Sequence, residues 1–150
     1  MASMRHELLI LDKVPEGAGE AVRAALDDCS KQHGFIYDVV PFFVGLHEQD
    51  DQGVPISTKY SAGCTGHSAG GVLKVKLLWV DDKHRGSGLG REIMTAVDAL
   101  GRKRGATFAT VNTFSFQAEG FYKKCGYDVL YRVPGCFDGS VEKIFLGKKL

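Results

Sequence analysis

In this 150-residue chain, the residues best spaced to do chemistry together lie between Lys83 and Ile93, in the stretch KHRGSGLGREI. Gly86, Gly88 and Gly90 alternate with Ser87 and Leu89, with Arg85 before them and Arg91 after. Glycines carry no Cβ, so a loop made of them can bring its amides close to a ligand. The residues that follow read as a helix. The first turn of a helix has unpartnered N–H groups and the positive end of the macrodipole. Such a loop suits an anion, a phosphate above all. Two well-known phosphate loops do not fit. A Walker loop needs a Lys-Ser/Thr pair after its last glycine, and Gly86 to Arg91 offers none. A dinucleotide fingerprint needs GxGxxG and an acidic residue about 20 positions on; the spacing here is GxGxG, and the later strand carries Val111 and Asn112 instead. The arrangement that remains is R-x-x-G-x-G opening a helix, with an ordinary glycine-rich turn as the plain alternative.

The loop has to be held by what flanks it. VLKVKLLWV (72–80) alternates at Leu73, Val75 and Leu77 and then turns wholly apolar, the pattern of a strand that becomes buried on both faces. After the loop, Leu89, Ile93, Val97 and Leu100 fall on one helical stripe, and Gly105 is placed to end that helix as its C′ residue. Upstream, ELLILDKV (7–14) reads as a strand. PEGAGEAVRAALDDCSKQHG reads as an amphipathic helix on the spacing of Val22, Leu26 and Cys29, with Pro15 in its first turn and Gly34 at its end. Strands at 38–48 and 54–66 form a hairpin about the QDDQG turn, and HSAGG (67–71) turns the chain again. Downstream come a strand (106–114), a short helix (117–126) ending at Gly126, and two strands (127–133 and 142–150) joined by PGCFDGS. The order β-α-β-β-β-α-β-α-β-β, with no repeat or linker, predicts one α/β (mixed α+β) domain over 1–150 with a single mixed sheet.

Composition narrows the function classes. A formal net charge of +1, with 44% hydrophobic and 25% charged residues, fits an ordinary globular domain and argues against a nucleic-acid surface. The dense basic clusters, KHR at 83–85 and RKR at 102–104, read most simply as solvated. The four cysteines form no CxxC pair and the five histidines show no zinc spacing, so free thiols in a reducing compartment and no metal are expected. No apolar run nears the roughly 18 residues of a membrane helix, and the start does not read as a signal peptide. A cytoplasmic protein with no membrane partner is the expectation.

The strand-and-loop LLWVDDKHRGSGLG resembles motif A of the GNAT superfamily of N-acetyltransferases. Downstream, NTFSFQAEGFYKKCGYDV is similar to that family's next block, with Ala118, Phe121, Tyr122, Lys124, Gly126 and Tyr127 on its A-x-x-F/Y-Y-x-K-x-G-F/Y pattern. The resemblance is close from about residue 72 to the end and weak before it. It implies a central, mostly antiparallel mixed sheet with one splayed parallel strand pair and helices on both faces. It implies acetyl-CoA as cosubstrate. The backbone at Leu78, Trp79 and Val80 would pair with the pantetheine amides. Arg85, Gly86, Ser87, Gly88, Leu89 and Gly90, with Arg91, would hold the pyrophosphate. The plain alternatives are core packing for Trp79 and a solvated helix residue for Arg91. Ser115 stands where many members have Asn and either caps the helix or touches the cofactor.

Tyr122 is a tyrosine that the resemblance places near the CoA sulfur, as the acid for the departing thiolate; its plain alternative is packing. Several members carry a basic carboxylate on the strand before the loop. Residues 71–80 have none and offer Lys74 and Lys76, so the base stays open among Glu48, Tyr60, His67 and Asn112. Cys125 reads as a buried helix-face residue rather than an acyl carrier. The implied reaction is direct acetyl transfer to a primary amine, with a small molecule as partner and a homodimer left open; Asp38, Glu48, Asp50 and Asp51 could attract its charge, or simply be solvated. A non-catalytic acyl-CoA-binding module is the alternative.

Overall fold

A computed structural model describes residues 8–150. The chain divides into two compact units, Met1–Tyr37 and Asp38–Leu150. In the first, α1 spans Ala18–Gln32. It starts later than its pattern predicts, because Gly17 adopts a left-handed φ of 74° and leaves Pro15 in the preceding turn, where its carbonyl accepts from the Ala18 amide. Gly34, also left-handed, ends it: the Phe35 amide reaches Ser30 O and the Gly34 amide reaches Lys31 O, the paired bonds of a Schellman cap. None of its residues is buried. The strand expected at 7–14 is not found. Residue 7 lies outside the described residues, and 8–14 join no ladder. An apolar run predicts a strand only where a sheet edge is there to receive it.

The second unit holds a six-stranded sheet in the order β1-β2-β3-β4-β6-β5. Its strands are β1 (Val40–Gln49), β2 (Pro55–Ala69), β3 (Val72–Val80), β4 (Phe108–Phe114), β5 (Asp128–Cys136) and β6 (Val141–Lys149), with α2 (Leu89–Lys103) and α3 (Glu119–Lys124) between them. All neighbours are antiparallel except β3 and β4. Glycines inside the strands make room for rings. A Cβ on Gly66 would lie 2.7 Å from the Phe42 ring, and one on Gly147 would lie 2.6 Å from the Phe108 ring.

The core follows the two periodicities. On β4, Ala109, Val111 and Thr113 point inward and alternate with half-buried Thr110 and Asn112. On α2, Ile93, Met94, Val97, Asp98 and Gly101 are buried, a helical spacing. Leu89 and Leu100 pack at the margin of this core, as their stripe predicts. Asp98 is buried against partners: Lys148 Nζ pairs with its Oδ2 and also donates to Cys125 O at 2.8 Å, and the Tyr127 hydroxyl donates to Oδ1 at 3.3 Å. This cluster ties α2 and β6 to the end of α3. Both helices end as Gly105 and Gly126 predict: the Ala106 amide reaches Gly101 O and the Tyr127 amide reaches Tyr122 O. Among the described residues, no helix is long and apolar enough to cross a membrane.

One expectation on β3 fails. Leu73 and Val75 are buried, but Leu77 is exposed. Opposite Thr65 and Gly66 the ladder skips Lys76, so an extra residue enters β3. A bulge of this kind reverses the alternation beyond it. Leu78 and Val80 then face the core, and Trp79 points away from it.

Candidate active site

The parallel pair β3/β4 is short. Val72, Leu73 and Lys74 pair with Phe108, Ala109 and Thr110, and there the ladder stops, although β3 continues to Val80 and β4 to Phe114. Beyond Lys74 the two strands part. An interior β3 backbone without a partner on that side is a row of donors and acceptors open to a ligand.

The opening runs into a cavity of about 770 Å³. Leu78, Trp79 and Val80 line it, then His84, Arg85, Gly86, Gly88, Leu89, Gly90 and Arg91 of the loop and α2, and finally Gln117, Ala118, Phe121, Lys124 and Cys125 around α3. The loop is shaped by its own residues. The Asp81 carboxylate accepts from the Lys83 amide, and the Ser87 hydroxyl donates to His84 O at 2.6 Å. Gly86 and Gly88 take φ of 75° and 89°, which side chains resist. A Cβ on either would meet nothing within 4 Å, so both face open space. The amides of Gly86, Ser87, Gly88 and Gly90 find no acceptor among the described residues. Four free N–H groups at the start of a 15-residue helix form a ready seat for an anion. A pyrophosphate-bearing ligand with an amide-containing arm fits both the loop and the open strand.

Gly90 differs from its neighbours. Its Cβ direction points at Phe121, 3.2 Å away, and at Val80, 3.6 Å away. It lets α2, α3 and β3 approach closely. The two arginines are engaged within the protein. Arg85 Nε donates to Val80 O at 3.0 Å and its Nη1 pairs with Asp82 at 2.6 Å. Arg91 Nη2 donates to Lys124 O at 2.7 Å, fastening α2 to α3.

Tyr122 is buried, at 6% exposure, with its ring edge-on to Phe121 at 5.3 Å and to Tyr127 at 6.0 Å. Phe121 and Cys125 line the cavity and Tyr122 lies outside that lining. Burial pushes its phenol up to about 12, with Cys64 and Cys125 adding to the shift. The Cys125 thiol is also raised, by burial first. It stays protonated near neutral pH, a poor state for a nucleophile. Ser115 is occupied elsewhere: its hydroxyl accepts from the Glu142 amide at 3.2 Å and its own amide donates to Glu142 O, which pins the end of β4 to β6.

The four candidate bases are spread over the sheet. Glu48, His67 and Asn112 are half-buried on β1, β2 and β4. Tyr60 is exposed on β2 and stacks against His47, a residue the sequence did not single out. Asp50 is a turn residue, accepting from the Gln52 and Val54 amides. His84 was also missed. It lines the cavity, and its Nδ1 is buried without a partner among the described residues. Its place directly before Arg85 was the available signal.

Comparison with known proteins gives the same architecture a family. Residues 41–129 match the model of the acetyltransferase (GNAT) domain. A blasticidin-S acetyltransferase of Streptomyces morookaense is 38% identical across a segment covering 50% of this chain and 62% of that protein, so the chain spans less than two thirds of this relative. The crystal structure of a protein assigned as an acetyltransferase from Agrobacterium tumefaciens superposes with a TM-score of 0.80 at 22% identity, covering 97% of this chain and all of the other. One from Bacillus anthracis, assigned as a streptothricin acetyltransferase and solved with acetyl-CoA, gives a TM-score of 0.56 at 14% identity over 63% of this chain and 58% of its own. With the splayed parallel pair, the open glycine loop and a family model covering more than half of the sequence, the chain belongs to the GNAT acetyltransferase family.

Proposed function

We propose that the protein transfers the acetyl group of acetyl-CoA to a primary amine of a small molecule, by direct attack with both substrates bound. One observation carries this reading: unpaired β3 backbone leads straight into a loop whose amides are also unpaired. A ligand that needs both surfaces has a peptide-like arm and a pyrophosphate, as acetyl-CoA has. The small-molecule acceptor is supported by the name of the Streptomyces relative.

The thioester supplies an activated acyl carbon. Leu78, Trp79 and Val80 hold the arm by main-chain hydrogen bonds. Gly86, Ser87, Gly88 and Gly90 hold the pyrophosphate, and Arg91 keeps α3 against the cavity through Lys124 O. The amine nitrogen forms its bond to the acyl carbon as the C–S bond breaks. The nitrogen gives up its proton to water, and the thiolate takes one from the Tyr122 phenol, beside cavity-lining Cys125. Water returns a proton to the phenolate, so that CoA leaves as the thiol and Tyr122 is restored. Cys125 remains a thiol and carries no acyl group.

Thiol release from acetyl-CoA across a panel of primary amines tests the proposal. Amine-dependent release with an N-acetyl product of the expected mass is the outcome we expect. Tight acetyl-CoA binding with no release for any amine would overturn it in favour of a binding module.

A further inference from the structure

The sheet face away from α2 carries an inference that rests on the acetyl-transfer reading and deepens it. On β3, Leu78 and Val80 pack toward the core, so Trp79 between them points to the other face, where it is 51% exposed. Trp79 also lines the cavity. Across the ladder it lies opposite Gly63, and Gly63 lies opposite Gly45. Residues in register on neighbouring strands share a face. Two glycines beside the indole therefore leave a gap in the row of side chains, and the ring of Phe43 lies across it. A Cβ on Gly45 would come within 2.5 Å of that ring, and one on Gly63 within 2.8 Å.

The row continues along β1 and β2. Tyr60 meets Phe43 edge-on with centroids 5.0 Å apart, and His47 stacks on Tyr60 at 4.8 Å and 25°. Phe43 is 50% exposed and Tyr60 is 45% exposed. His47 Nδ1 lies 3.2 Å from Ile56 O and 3.3 Å from Lys59 O. Both partners accept, so Nδ1 carries the proton, and in the neutral ring Nε2 keeps a lone pair. The result is a shelf of half-exposed rings. It begins at the cavity with Trp79 and ends at a hydrogen-bond acceptor.

An exposed aromatic patch of this kind marks binding more often than chance. Its continuity with the cavity through Trp79 suits a small occupant whose amine reaches the thioester. None of Phe43, Tyr60, His47 and Trp79 is a carboxylate, so the shelf selects flat rings rather than polycations. We propose that it is the acceptor site, and that the acceptor is a primary amine borne on a flat aromatic or heteroaromatic ring, with a polar edge met by His47 Nε2.

Trp79 is the chain's single tryptophan, so its fluorescence reports on the shelf without any turnover. The full chain, saturated with CoA, is titrated with benzylamine and with cyclohexylmethylamine, which differ in flatness but little in size. Benzylamine should shift the emission and bind about ten-fold more tightly, the scale of an aromatic pair. Tyr60→Leu, and independently Phe43→Leu, should abolish that preference with CoA affinity unchanged. Equal affinities for the two amines, or a preference that survives in a folded variant, overturn the shelf. So does a solution dimer that Tyr60→Leu splits while neither amine alters the emission, since the face would then be a self-interface. The two proposals fail separately. Benzylamine preference without thiol release leaves the shelf and removes the transfer reaction. Thiol release at equal kcat/KM for both amines does the reverse.

Discussion

The two ends of the cavity are made of different material. At the loop end the protein offers main chain: the free amides of Gly86, Ser87, Gly88 and Gly90, with no side chain needed beyond those that shape the turn. Along α3 and β3 it offers side chains: Phe121 and Cys125 on the wall, Tyr122 outside the lining, and Trp79 reaching to the far face. A main-chain site is specified by what must be absent, namely Cβ atoms, and by where a helix begins. A side-chain site depends on which ring lies behind which, and that is decided only when the sheet closes. Phe121 and Tyr122 are adjacent in sequence, yet only the first lines the cavity.

The sharpest way to break the loop end is Gly88→Val. Gly88 sits at φ 89° with open space where a Cβ would project. Valine there disfavours the backbone geometry and fills the space the anion would occupy. Two lost charge-assisted hydrogen bonds, at about 1.5–3 kcal/mol each, correspond to at least about 10²-fold in affinity. Calorimetry with acetyl-CoA on a variant shown to be folded by circular dichroism should find that loss. Retained affinity would mean the loop is only a turn.

The side-chain end is tested by Tyr122→Phe, which keeps the ring and removes the acid. Positioned proton transfer contributes about 10²–10⁴-fold, and a thiolate leaves readily, so a fall of about 10²-fold in single-turnover rate is expected, with acetyl-CoA affinity unchanged. Burial holds this phenol near 12, above its ordinary value of 10.0. It therefore stays protonated throughout the neutral range, and its ionisation should not limit the wild-type rate until pH approaches 12. The same shift acts on stability. Between pH 10 and 12 the unfolded chain has released this proton and the folded chain has not, so stability falls as pH rises through that window, and Tyr122's share of the fall ends above it. Urea unfolding at pH 9 and pH 11 should show a shallower loss in Tyr122→Phe than in the wild type. Unchanged single-turnover rates in the variant would assign the tyrosine to packing.

Legibility in the sequence follows the same division. Gly34, Gly105 and Gly126 end their helices as predicted, because a left-handed C′ residue is a local requirement. The splayed pair was implied by resemblance and is present, because a strand, a glycine loop and a helix in that order leave little freedom. Leu77 was misplaced because a bulge at Lys76 is a property of two strands together, invisible in either alone. The run at 8–14 was misread because apolar content does not say what will cover it. His47 was passed over because its value comes from two carbonyls on β2, Ile56 and Lys59, that only the fold brings to its ring.

The smallest expected effect draws the boundary between the two ends most finely, and it concerns Gly90. By sequence it belongs with Gly86 and Gly88; by structure its missing Cβ makes room for Phe121 rather than for a ligand. Gly90→Ala adds a methyl group 3.2–3.3 Å from that ring. Overpacking of this order costs about 1–3 kcal/mol. Replacing glycine within a helix returns up to about 1 kcal/mol, so a net loss near 1 kcal/mol is expected in urea unfolding. Acetyl-CoA affinity should change far less than in Gly88→Val, because the loop amides are untouched. Phe121→Leu should relieve the contact, so Gly90→Ala becomes neutral or stabilising in that background, and the coupling measured by the double-mutant cycle belongs to the packing alone. If Gly90→Ala instead loses acetyl-CoA as severely as Gly88→Val at unchanged stability, and Phe121→Leu does not restore it, then all three glycines serve the ligand and the boundary lies one turn further along α2.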